Sequence, residues 1–250
     1  MVSVRILALV GVLAGASPAL TQESLRDVQL ELQEARSQKE WQARTATSLM
    51  EKCFRVHDDS FGNKKKFEAL QTALEVAGVA PTLLSDEKLA ALFDRATSLL
   101  VENHASNDRM GLLIARFLTP PDSIGEVARK KILATLDAIE ARTESDAVRA
   151  ACRFARLGPV LEKSETTVLE PTELETAVAT LETIKADFGA AEHWSGSTVG
   201  EAIDQILFQL AHLSIGREAP EIEGQDLDGV PFKLSDYRGK VVLLDFWGNW

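Results

Sequence analysis

The stretch Ile215-Gly-Arg-Glu-Ala-Pro-Glu-Ile-Glu-Gly-Gln-Asp-Leu-Asp-Gly-Val-Pro-Phe-Lys-Leu-Ser-Asp-Tyr-Arg-Gly-Lys-Val-Val-Leu-Leu-Asp-Phe-Trp-Gly-Asn-Trp250 breaks with everything before it. Asp228-Gly229, set between Asp226-Leu227 and Val230-Pro231-Phe232, is a hairpin-turn dipeptide. Ser235 to Gly239 predicts one short helical turn closed by glycine. Val241 to Trp247 then predicts a strand with almost no polar interruption, the pattern of a central sheet position covered on both faces. Asp245 is the exception within it. Burial penalises a carboxylate's charge, so an acid there is protonated, paired or functional.

Upstream of Leu213 the text is helical. Leu25, Val28, Leu32 and Ala35 open a helical pattern that runs from Ser24 to about His57, and Ser24 with Asp27 can cap its start. Further helices are predicted near 64–78, 85–103, 122–142, 144–157, 172–188 and 198–213. Ser123 with Glu126, Thr172 with Glu175 and Thr198 with Glu201 have capping-box spacing. Pro81, Pro120-Pro121, Gly158-Pro159 and Pro171 read as stops or turns. No repeat period is clean enough to name a repeat family. The expectation is an acidic all-helical domain over 24–213, a helical bundle or a short helical solenoid.

Composition narrows the function classes. The 250 residues are 45% hydrophobic, and 27 Lys plus Arg stand against 38 Asp plus Glu. The net charge of −11 argues against a nucleic-acid partner, which selects for a basic face. Lys64-Lys65-Lys66 reads as a solvated face. Cys53, Cys152 and the four histidines (His57, His104, His193, His212) show no metal-ligand spacing, so no metal is expected. Cys53 and Cys152 are candidates for a structural disulfide, with two buried thiols as the alternative. Met1 to Thr21 holds one base, Arg5, an apolar run from Ile6 to Ala16, and the small residues Ser17-Pro18-Ala19. That is the layout of a secretory signal peptide over 1–19. The apolar run is short for a hydrocarbon core, so membrane contact is expected only through an uncleaved signal. Export to the periplasm or cell envelope follows.

The segment 216–250 resembles the opening of a thioredoxin-fold redoxin of the alkyl hydroperoxide reductase/thiol-specific antioxidant type, in the exported thiol–disulfide oxidoreductase branch. The pieces that carry the resemblance are Ile215-Gly216-x-x-Ala219-Pro220, Asp226-Leu227-Asp228-Gly229, Phe232-x-Leu234-Ser235-Asp236-Tyr237-x-Gly239-Lys240, and the strand ending Phe246-Trp247-x-x-Trp250. Each is weak alone; their order and spacing are specific. The resemblance implies an α/β thioredoxin-like fold whose opening hairpin and first central strand follow a mostly α N-terminal domain. It also implies a Cys-x-x-Cys motif directly after Trp250, worked by a low-pKa thiolate and a resolving cysteine. Asp245 would be the buried acid that relays a proton to or from the resolving thiol, and Trp247 and Trp250 would flank the active site. Neither Cys53 nor Cys152 inherits the cysteine roles. The Trp-x-x-Trp ending favours disulfide exchange over peroxide reduction.

By that resemblance the full protein is an oxidoreductase acting on envelope or secreted thiol/disulfide proteins, or on peroxides, with a reductant protein and no cofactor. The chain to Trp250 lacks the two catalytic cysteines and is expected to be inactive, and one apolar strand without neighbours is an aggregation hazard, so a fragment of a longer protein is expected. The alternative is a non-catalytic exported binding or scaffold protein whose tail is a redoxin-like remnant.

Overall fold

The computed structural model describes residues 24–36, 42–79, 86–120, 125–226 and 228–245. Among these the chain is mostly helical, with ten α-helices, one two-stranded antiparallel sheet and a short 3-10 turn. No helix among them is long and apolar enough to cross a membrane. The expected signal peptide over 1–19, Trp247 and Trp250 lie outside the described residues. The chain divides into two compact units, one running to Glu144 and the other built mainly from Ser145 onward.

The first unit holds α1 (Leu25–Arg36), α2 (Ala43–Asp59), α3 (Asn63–Val79), α4 (Glu87–His104), α5 (Met110–Phe117) and α6 (Glu126–Arg142). Each helix buries a stripe at helical spacing. In α2 it is Ala46, Leu49, Met50, Cys53, Phe54 and His57; in α4 it is Leu89, Phe93, Ala96, Leu100 and His104. The stripes of α1 to α4 pack on one another, and α6 closes against α4. The expected Ser24 cap forms: Ser24 Oγ donates to Asp27 Oδ2 at 2.6 Å, and Asp27 N–H donates back to Ser24 Oγ at 3.3 Å. The pattern expected from Ser24 to His57 is carried by two helices, α1 and α2. Helix α6 begins at Glu126 after Gly125, not near 122, and Ser123 falls outside the described residues.

The second unit contains α7 (Asp146–Ala155), α8 (Gly158–Thr166), α9 (Pro171–Phe188), α10 (Val199–His212) and the sheet. Its core joins Leu157, Leu169, Leu181, Ile184, Phe188, Val199, Ile203 and Leu210. Two of the prolines expected as stops or turns lie in the first turn of a helix. Pro159 sits in the first turn of α8 and Pro171 opens α9. Proline is tolerated there because the first helical N–H groups have no intrahelical acceptor and its φ is already helical. The box expected at Thr172 and Glu175 is displaced accordingly: Glu170 N–H donates to Glu173 Oε2 at 3.1 Å. Gly158 is required by close approach, since a Cβ there would lie 2.4 Å from Thr119 Cγ2.

The cap expected at α10 forms as a reciprocal pair. Glu201 N–H donates to Thr198 Oγ1 at 3.2 Å, and Thr198 N–H donates to Glu201 Oε2 at 2.9 Å. Thr198→Ala is expected to lower thermal stability by about 1 kcal/mol, read from melting followed by circular dichroism. The backbone and side-chain hydrogen bonds of Thr198 hold the Glu201 carboxyl below its ordinary value of 4.5. A depressed carboxyl stabilises the fold above its unfolded value and loses that contribution as pH falls through the folded one. The Thr198→Ala difference should therefore shrink on acidification below about pH 4.

Candidate functional site

The redoxin-like segment begins where α10 ends. Leu213 N–H and Ser214 N–H both donate to Gln209 O, at 2.8 and 3.0 Å, and Gly216 takes φ +85° to turn the chain away. The sheet pairs β1 (Glu223–Gln225) with β2 (Pro231–Lys233), Glu223 opposite Lys233 and Gln225 opposite Pro231. The Asp-Gly turn is where the sequence places it, and β1 ends at Gln225, before the expected flank Asp226. Asp226 Oδ1 accepts from Asp228 N–H at 3.0 Å and from Val230 N–H at 2.9 Å, and Gly229 sits at φ +79°.

Beyond β2 the chain makes the expected short turn, a 3-10 helix over Leu234–Tyr237. Lys233 N–H donates to Asp236 Oδ2 at 2.9 Å, and Lys240 N–H to Tyr237 O at 3.1 Å past Gly239 at φ +81°. Glu221 was not singled out by its sequence context, yet it ties the two ends of the segment. Its Oε1 accepts from Ser235 N–H at 3.0 Å, and the side-chain and backbone hydrogen bonds of Ser235 hold its carboxyl below the ordinary range. Phe232 and Tyr237 meet edge to face with centroids 6.5 Å apart, and Arg238 pairs with Glu218 at 2.5 Å. A shallow cleft lies between these pieces and the end of α10, lined by His212, Pro220, Leu234 and Ser235.

The continuous strand expected over Val241–Trp247 is not formed among the described residues. Residues 241–245 pair with no strand and are exposed; Val241 and Leu243 are 104% and 93% accessible. Asp245 is exposed with them. The physical reason is the lack of a neighbour: a lone apolar strand gains neither ladder hydrogen bonds nor burial. Cys53 in α2 and Cys152 in α7, the candidates for a structural disulfide, are both buried, one in each unit.

The histidines lie in different settings. His193 Nδ1 is 2.6 Å from Ser195 Oγ and accepts Ser195 N–H at 3.2 Å, while its ring lies 3.7 Å from Trp194. These bonds close a tight turn at Gly196, and burial pushes the His193 pKa down. His57 and His104, far apart in sequence, are both buried in the first unit. No group of three metal-ligating side chains gathers among the described residues.

The chain carries a redoxin-like segment, similar to part of the thiol–disulfide oxidoreductases. The relatives are proteins named thiol-disulfide oxidoreductase ResA. That of Geobacillus kaustophilus is 50% identical over 38 residues, and those of Geobacillus thermodenitrificans and Bacillus thuringiensis are 47% identical over 38. The match covers 15% of this chain and 22% of each relative, so the chain spans about a fifth of the length of the curated relatives it matches. No protein-family model and no solved structure matches the chain.

Proposed function

We propose that residues 216–250 open the thioredoxin-fold domain of an exported thiol–disulfide oxidoreductase, carried behind a helical N-terminal extension. The observation that supports this most directly is the identity, close to one residue in two over 38 residues, with proteins named for that activity. The local structure is compatible with it, since the hairpin, the 3-10 turn and the apolar run follow one another in the order the resemblance requires.

The chemistry asked of the whole protein is thiol–disulfide exchange. A thiolate attacks a disulfide sulfur of the partner protein, the partner's other sulfur leaves as a thiolate, and a second protein thiol resolves the mixed disulfide. Cys53 and Cys152 are buried in helices outside the redoxin-like segment and have no part in that step. Asp245 would hold or move the proton of the resolving thiol once a sheet covers it, and Trp247 and Trp250 would flank the reacting sulfurs. The partners are thiol/disulfide proteins of the envelope, with a reductant protein returning electrons.

The test is the reading frame past the codon for Trp250, checked by the intact mass of the native exported protein and by its reduction of insulin disulfides. The expected result is a Cys-x-x-Cys directly after Trp250, a mass well above 27.3 kDa less the signal, and insulin reduction. A frame that closes at Trp250 overturns the enzyme and leaves a helical scaffold with a redoxin-like remnant.

A further inference from the structure

His104 is the last residue of α4 and is buried, with 5% of its surface accessible. Its ring meets Phe67 edge to face with centroids 5.5 Å apart. Its Nε2 is buried without a hydrogen-bond partner among the described residues. Such a nitrogen is costly even when neutral, and a proton on the ring would add a charge with no acceptor at that atom.

The charged and titratable groups set against it make that cost larger. From α2 comes His57, itself buried, and from α3 comes Lys66 at the start of the helix; both act electrostatically against a positive charge on His104. The corner itself carries Asp108, exposed, and Arg109, whose Nη1 pairs with Glu68 of α3 at 3.3 Å, and the acid beside His57 is committed there. Asp58 Oδ1 lies 2.9 Å from His57 Nδ1, and its Oδ2 accepts from Arg95 Nη2 at 2.8 Å. Burial opposes ionisation of Asp58, and these two hydrogen bonds outweigh it, holding the carboxyl below its ordinary value. His57 and Lys66 thus oppose a positive charge on His104, and no acceptor meets its Nε2 among the described residues. Burial, then His57 and Lys66, push its pKa below the ordinary 6.5.

The backbone around it is a hydrogen-bonded corner. Asn107 N–H donates to His104 O and Met110 N–H to Asn107 O, each at 2.9 Å, which turns α4 into α5. Ser106 Oγ accepts from Glu144 N–H at 3.0 Å, tying the corner to the chain beyond α6. We propose that His104 is an acid-sensitive latch on the α4–α5 corner: neutral, it lets the corner stay closed, and protonated, it opens it. Opening exposes the ring to water, where the proton is tolerated. The corner is the segment that gives way because few buried side chains other than Ala105 and Met110 hold it.

The direction follows from linkage. The folded pKa lies below the unfolded one, so the open state binds the proton first. The closed state is fully favoured above about pH 6.5 and loses stability as pH falls toward the folded value. Hydrogen exchange at the amides of Asn107, Met110 and Glu144, corrected for intrinsic rates, reads the opening constant. Between about pH 7.5 and pH 5.5 that constant is expected to rise by up to about tenfold in the native protein and to stay flat in His104→Leu. An equal rise in His104→Leu, or no rise in the native protein, overturns the latch. Should His104→Leu fail to fold, the ring-proton titration of His104 in the unsubstituted protein decides. A midpoint below the ordinary histidine value, tracking the amide exchange, supports the latch; a midpoint at or above it overturns the latch.

Discussion

In the thiol–disulfide oxidoreductase proposed above, Asp245→Asn is expected to slow disulfide exchange by about a hundredfold, the lower end of what a positioned general acid or base contributes. The same substitution in the 250-residue chain should leave thermal melting unchanged, because Asp245 is exposed there. The contrast separates a role in chemistry from a role in the fold. If the complete protein keeps its exchange rate with Asn at 245, Asp245 is not the relay. If the 250-residue chain is destabilised, the carboxylate is structural. The rate is read from insulin reduction and the melting from circular dichroism.

Leu181→Ala is expected to destabilise the second unit by about 2–5 kcal/mol. Leu181 is fully buried in α9, in one apolar cluster with Ala150, Ile184 and Ile203. Truncation removes apolar contact and leaves a cavity whose lining belongs to α7, α9 and α10, elements that cannot all move inward together. A loss of this size is a large fraction of a domain's net stability, so the unit should melt well below its unsubstituted midpoint. Denaturant unfolding followed by circular dichroism measures it, and a change under about 1 kcal/mol would mean that the site collapses without a cavity.

These two expectations draw on different parts of the chain's legibility. The helices of both units could be read from apolar spacing, because a stripe such as Ala46, Leu49, Met50, Cys53, Phe54 and His57 needs only one helix to be regular. The Ser24 and Thr198 caps and the Asp228-Gly229 turn were equally readable. Each is completed by hydrogen bonds reaching no more than four residues along the chain. Pro159 and Pro171 were misleading for a related reason: the same residue stops one helix or starts the next, and local text does not separate the cases.

Local sequence determined the helices, their caps and the hairpin turn, which are written within a few residues of one another, and the order and spacing of short pieces over 215–250 determined the redoxin-like signature. Tertiary structure alone determined the division into two units and the burial of both His57 and His104 in the first. The state of Val241 to Asp245 belongs with these. Its apolar run carries strand propensity, but a strand exists only where a neighbour completes its ladder and covers its faces, and the described residues hold no such neighbour.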